Sequence, residues 1–110
     1  MDNAFFVPIL PGKTEAALAF AEALNTTRRA ELDKTQVRVT KESWFLQETP
    51  MGDFLIICFT ADDGNKVNES LTASQEPFDV WFKDQIMDIT GIDANQPLPQ
   101  LPKRIMSWSR

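Results

Sequence analysis

The feature that most constrains this chain is a predicted β-hairpin that turns around residues 50–53 and is apolar on both of its faces. A tight turn at Met51-Gly52 predicts that Trp44 pairs with Phe59, and strand alternation then sorts the other side chains into two surfaces. One surface carries Trp44, Leu46, Glu48, Leu55, Ile57 and Phe59, and the other carries Phe45, Gln47, Phe54, Ile56 and Cys58. Antiparallel sheets in small monomers usually keep one polar face in water. We therefore expect helices to cover one surface and a second copy of the chain to cover the other.

The composition predicts one soluble domain over residues 1–110. Apolar residues make up 43% and charged residues 25% of the chain, which is typical of globular proteins. The longest apolar run, residues 54–59, is far shorter than the roughly 20 residues that cross a bilayer, so we expect no membrane span. The N-terminus has no basic segment followed by an apolar stretch, and Cys58 is the only cysteine. Both features favour a cytoplasmic location.

The charge pattern argues against a nucleic-acid partner. The formal net charge is −5, and the basic residues are scattered, with Arg28-Arg29 and Lys103-Arg104 as the only adjacent pairs. A protein that binds nucleic acid usually carries a basic stripe to neutralise phosphates.

The first half of the chain predicts two strands around a helix, and then a third strand. A strand over Ala4–Leu10 ends at Pro11-Gly12, and a helix with Thr14 as its N-cap continues to about Asp33. The two strands of the hairpin follow, over residues 38–49 and 53–61.

The second half predicts helical structure and a last strand. A short helix over Val67–Ser74 precedes a second helix that starts at Glu76-Pro77, carries an apolar stripe and ends at Gly91. On this helix Asp79 and Lys83 have the i, i+4 spacing of an ion pair on the outer surface. Beyond three prolines, residues 104–108 are predicted to be an edge strand.

The resulting order is β-α-β-β-α-β. Two β-α-β halves with right-handed crossovers build a four-stranded antiparallel sheet with the helices on one face. The predicted fold class is therefore α+β, with the ferredoxin-like arrangement.

Several short motifs resemble an uncharacterised group of small ferredoxin-like proteins within the dimeric α+β barrel superfamily. The motifs are Pro11-Gly12-Lys13, Arg28-Arg29, Glu42-x-Trp44-x-Leu46-Gln47, Gly52-Asp53, Pro77-Phe78-Asp79-x-Trp81-Phe82-Lys83 and Gly91-Ile92-Asp93. The resemblance covers most of the chain and implies a homodimer in which the free faces of two sheets form a barrel. Its superfamily includes cofactor-independent monooxygenases, isomerases, haem enzymes and stress-response domains, so it does not select one activity.

Histidine and tyrosine are absent, which restricts the chemistry available to one chain. Without histidine, the usual haem ligand and the commonest general base are missing. A single cysteine cannot complete a zinc-type cluster. We expect neither a metal nor a cofactor.

Five side chains are candidates for a small-molecule site. Glu42, beside Trp44, could act as a general base if desolvation raised its pKa, or it could reach water or pair with an arginine at the strand end. Trp44 and Trp81 could form aromatic walls, although helical spacing mostly indicates core packing. Gln47 and Arg28 could orient a ligand, or could make ordinary contacts within the chain.

Two functions of different classes follow from these candidates. One is an enzyme that needs no metal, such as a monooxygenase or an isomerase, with Trp44, Trp81 and Glu42 positioning the substrate. The other is a noncatalytic module that senses a metabolite or binds another protein. Polar groups converging inside a cavity would favour the enzyme, since catalysis requires positioned acid and base groups.

Overall fold

Three strands and four helices make up the computed structural model, which describes residues 1–110. The elements in chain order are β1 (Asp2–Pro8), α1 (Thr14–Asn25), α2 (Arg29–Thr35), β2 (Val39–Thr49), β3 (Gly52–Ala61), α3 (Gly64–Ala73) and α4 (Pro77–Thr90). Central β3 pairs antiparallel with β1 on one side and with β2 on the other. β1 and β2 are therefore parallel to each other and are connected through α1 and α2. The predicted α+β class is confirmed, with three strands in the sheet.

The hairpin turns one residue earlier than its sequence predicted. Thr49 pairs with Gly52, so Pro50 and Met51 form the loop, and Trp44 lies opposite Ile57 instead of Phe59. The Thr49 hydroxyl closes the turn, since Oγ1 donates to the Gly52 carbonyl at 2.6 Å and accepts from the Met51 amide at 3.1 Å. Gly52 has a φ of 128°, which only glycine adopts readily. The register differs by two residues, so every side chain keeps its predicted face.

The first helical region is interrupted where one continuous helix was predicted. α1 ends at Asn25 because the Thr26 hydroxyl donates back to the Glu22 carbonyl at 2.7 Å and Thr26 leaves helical geometry. α2 then begins at Arg29. Thr14 is the first residue of α1, and its hydroxyl donates to the Asp53 carboxylate at 2.6 Å, so its prediction as the N-cap was wrong.

The last helix begins and ends as predicted, but Lys83 is buried inside the protein and does not lie on the outer surface of the helix. Pro77 opens α4, and Gly91, at a φ of 77°, closes it with a hydrogen bond to the Met87 carbonyl. Lys83 is only 1% exposed. Its Nζ donates to the carbonyls of Thr72 at 3.2 Å and Ser74 at 2.7 Å. These carbonyls terminate α3, where a positive charge satisfies the last acceptors of a helix.

The predicted fourth strand, residues 104–108, does not pair with the sheet. The preceding stretch lacks three N–H donors because it contains Pro97, Pro99 and Pro102. Residues 97–110 make one hydrogen bond to the remainder of the chain, from the Leu101 amide to Asn65 Oδ1 at 3.1 Å. Arg104 approaches Asp2 of β1 at 3.7 Å. Beyond Arg104, Ile105 and Trp108 are 96% and 71% exposed. Their side chains are not buried against the sheet, so no apolar contact of theirs stabilises a strand.

The core lies between the helices and one face of the sheet and is centred on Phe20. The Phe20 ring packs edge-on against Trp44 and Trp81, each 5.4 Å away between ring centroids, and against Phe82 at 5.2 Å. Ile9, Leu55 and Ile89 are also buried in this core. No helix is both long enough and apolar enough to cross a membrane.

The other face of the sheet is not covered by any element of the chain. Phe6 is 67% exposed and Phe45 56% exposed, and both flank Ile56 in one cross-strand row. Only 13 of 110 residues are buried, so the core is small for this length. We call this surface the open face and define it as Ala4, Phe6, Pro8, Phe45, Phe54, Ile56 and Cys58.

Candidate functional site

A cavity of about 570 Å³ lies between the helix-covered face of the sheet, helices α3 and α4, and the C-terminal segment. Leu55, Ile57 and Phe59 of β3 line it, and Phe82 and Ile86 of α4 also contribute to its wall. Small-molecule pockets usually measure about 300–1,000 Å³ and are mostly apolar. The size and lining of this cavity therefore suit an apolar organic molecule.

Residues 98–102 close one side of the cavity, and we call this segment the C-terminal strap. It fits against the start of α3 because Gly64 has no side chain there. A Cβ at Gly64 would lie 2.5 Å from Leu101 Cδ1 and 2.9 Å from the Asn3 side chain. A larger residue at position 64 would therefore have to displace the Leu101 and Asn3 side chains.

Glu42 and Trp44 both line the cavity and are bonded to each other. The Trp44 indole N–H donates to Glu42 Oε2 at 2.6 Å, and Gln36 Nε2 donates to Glu42 Oε1 at 3.0 Å. Glu42 is exposed to solvent. It orients the Trp44 ring as a hydrogen-bond acceptor, and the burial on which its prediction as a base depended is missing.

Arg28 and Trp81 meet each other but do not line the cavity. The Arg28 guanidinium carbon lies 4.0 Å from the centroid of the Trp81 ring, which is a cation–π contact. Arg28 also forms a two-point ion pair with Glu31, at 3.0 and 3.2 Å. Its charge is thus used within the chain, and Trp81 belongs to the aromatic core around Phe20.

Gln47 lies away from the other candidates. It is exposed on the opposite face of β2 from Trp44, where its Nε2 donates to the Glu48 carbonyl at 3.2 Å. The five predicted site residues thus fall into three places. Glu42 and Trp44 are at the cavity, Arg28 and Trp81 contact each other in the helical layer away from the cavity, and Gln47 is on the far side of the sheet.

Two contributors to the cavity were missed in the sequence. Arg38, just before β2, is the only lysine or arginine in the lining, and Asp79 of α4 accepts a hydrogen bond from Ser74 Oγ at 2.6 Å. The strap was also missed, since its prolines were considered only as the residues that precede the predicted edge strand. Leu98 and Leu101, two apolar residues between these prolines, were the signal that the segment covers other apolar surface.

The two groups with clearly shifted pKa values lie outside the cavity. The Thr60 hydroxyl, which donates to Asp2 at 2.6 Å, and the nearby Arg104 lower the pKa of the Asp2 carboxyl. The hydrogen bond and charge of Asp33 raise the pKa of Arg29. Both groups lie on the surface of the protein.

No protein-family model, curated protein or solved structure matches the chain. No three His, Cys, Asp or Glu side chains come together in a group that could hold a metal ion. The function must therefore be inferred from the cavity and the open face.

Proposed function

We propose that this protein is a homodimeric, small-molecule-binding α+β barrel protein that holds an apolar ligand in the cavity and performs no chemistry on it. The observation that supports this function is the cavity itself, which has the volume and apolar lining typical of ligand pockets. Trp44, held by Glu42, supplies a fixed aromatic wall. A metabolite-sensing role fits such a site.

The polar groups of the cavity favour binding over catalysis. Glu42 is on β2 and Asp79 is on α4, and each is already hydrogen-bonded to a neighbouring side chain of the same chain. A general base must reach the proton that it removes. A monooxygenase or isomerase of the kind considered from the sequence would require acid and base groups that converge on the ligand, and these two do not form such a pair.

The proposed ferredoxin-like topology rests on the order β1-β3-β2 and on the crossover that makes β1 and β2 parallel. In this topology the fourth strand lies beside β1. Arg104 already approaches Asp2 at the beginning of β1. The C-terminal residues are therefore close to the sheet edge that the fourth strand would occupy.

The homodimer rests on the open face. An apolar sheet surface without cover is unusual for a monomer, and a second copy can cover it by symmetry. Asp2 and Lys41 lie at opposite ends of one cross-strand row, with Thr60 between them. A twofold axis parallel to β3 would place Asp2 opposite Lys41 of the partner subunit, so the charges at the edges of the open face are self-complementary.

A fluorescent probe tests the proposed ligand site. N-phenyl-1-naphthylamine is uncharged and becomes brightly fluorescent in apolar surroundings. We expect it to bind the wild-type chain, and we expect Val67→Phe, which places a ring in the cavity lining, to weaken binding at least tenfold. Val80→Phe is the matched control, because Val80 is on α4 but does not line the cavity.

The outcomes separate the two classes of function. Equal binding by the Val67→Phe and Val80→Phe variants would place the probe outside the cavity and contradict the proposal. Absence of probe binding by the wild-type chain would also contradict it, and would favour a protein-interaction module that uses the open face.

A further inference from the structure

The cavity has one cationic side chain, and that side chain has no partner within the protein. Arg38 lines the cavity at the connection between α2 and β2. It takes part in none of the four ion pairs of the chain and in no side-chain hydrogen bond. Arg28 and Arg29, in contrast, are paired with Glu31 and Asp33.

Arg38 and the residue after it, Val39, both lie at the cavity. A register irregularity between Val39 and Lys41 interrupts the alternation of β2, and Val39 pairs with Ala61 on the helix-covered face. Irregularities of this kind redirect side chains near binding sites. The irregularity therefore turns Val39 towards the cavity. Arg38, an exposed residue of the turn before β2, also lines the cavity, as do Gln36 and Glu42.

The neighbouring negative charges leave this guanidinium available. Glu42 is engaged by the Trp44 indole and the Gln36 amide, and it makes no ion pair with Arg38. Arg38 also lines a second, more polar depression together with Asp62 and Asp63, and neither of these aspartates makes an ion pair with it. An anion can therefore reach Arg38 from the cavity side without displacing an existing partner.

We infer that the ligand is an organic acid with an apolar body, whose single anionic group pairs with Arg38 while its body occupies the cavity. This inference rests on the proposed function and names its ligand class. A guanidinium is well suited to the task because its planar N–H groups can donate two parallel hydrogen bonds to a carboxylate or a sulfonate. The apolar wall supplies affinity for the body of the ligand, and Arg38 makes the site prefer an anionic ligand over a neutral one.

A pair of probes with the same aromatic skeleton tests the inference. 1-Anilinonaphthalene-8-sulfonate carries one negative charge, whereas N-phenyl-1-naphthylamine carries none. We expect the wild-type chain to bind the sulfonate about tenfold more tightly than the neutral probe, as a hydrogen bond to a charged group implies. Arg38→Gln should abolish this preference and leave affinity for the neutral probe within about twofold, and Arg38→Lys should keep part of the preference.

Arg29→Gln is the control, because Arg29 is an exposed arginine that does not line the cavity. Equal affinity of the wild-type chain for both probes would overturn the inference while leaving the ligand site intact, as would a preference that survives Arg38→Gln. Failure of both probes to bind would overturn the proposed function, and the inference with it. Blocking the cavity by Val67→Phe should weaken both probes, and a sulfonate affinity that this change leaves unaltered would place the anion site elsewhere and overturn the inference.

Discussion

Phe45 provides the sharpest test of the open face as a dimer interface. The side chain is 56% exposed, and a phenylalanine buries about 200 Å² when covered, so a partner would remove about 110 Å² of apolar surface at this position. At about 25 cal/mol per Å² this corresponds to nearly 3 kcal/mol in each chain. A twofold interface uses Phe45 twice, so Phe45→Ser should weaken the dimer by between about 5 and 6 kcal/mol. That loss raises the dissociation constant about ten-thousand-fold.

Sedimentation velocity at micromolar concentration measures this effect. The wild-type chain should sediment at twice its mass of 12.5 kDa, and the Phe45→Ser variant as a monomer. Leu18→Ser is the matched control, because Leu18 is 47% exposed on α1 and lies far from the open face. A monomeric wild-type chain would refute the reasoning, and so would a Phe45→Ser variant that dimerises as tightly as the wild type.

Five further variants test the core and one surface pair. Thr72→Val should raise the free energy of unfolding by about 1 kcal/mol in urea denaturation, because the Thr72 hydroxyl is buried without a hydrogen-bond partner. A decrease in this free energy would indicate that the hydroxyl has a hydrogen-bond partner. Phe20→Ala should lower that free energy by about 3–5 kcal/mol, and Phe20→Leu by clearly less, since leucine keeps apolar volume but loses three aromatic contacts. Thr60→Val should raise the pKa of Asp2 towards its ordinary value, and by more than Arg104→Gln does, in an NMR titration. Because the folded state lowers this pKa, Asp2 contributes stability above its unfolded-state pKa, and that contribution is lost as the pH falls through the lowered value. If Thr60→Val left the acidic part of the curve of unfolding free energy against pH unchanged, Thr60 would not be the main cause of the lowered pKa.

The faces of the strands could be predicted from the sequence, but the register could not. Alternation assigns Trp44 and Leu55 to one side whichever turn closes the hairpin, since a shift of two residues preserves the side. The turn itself depends on the Thr49 hydroxyl, which binds two backbone groups of the loop. Nothing in the apolar pattern records such a bond.

For a related reason, the burial of Lys83 was not predicted. Spacing along one helix predicted an outer ion pair with Asp79, but the end of α3 offered the Lys83 ammonium two carbonyls that only the tertiary structure brings near. The site was only partly predictable. Trp44 was recognised because aromatic residues stand out in a strand, whereas nothing in the sequence distinguishes Arg38 from the other scattered basic residues of the chain.

The weak attachment of the C-terminal strap has a kinetic consequence. One hydrogen bond and one ion pair are the only polar contacts that join residues 97–110 to the remainder of the chain, and Leu98 and Leu101 add apolar contacts, so we expect the strap to separate from the cavity at far smaller cost than global unfolding. A ligand can exchange through this local opening while the sheet and helices stay folded. The exposed Lys103 and Arg104 follow directly after the strap and are sites for trypsin. A ligand that adds contacts to Leu98 and Leu101 would slow cleavage there, which makes the end of the chain a reporter of cavity occupancy.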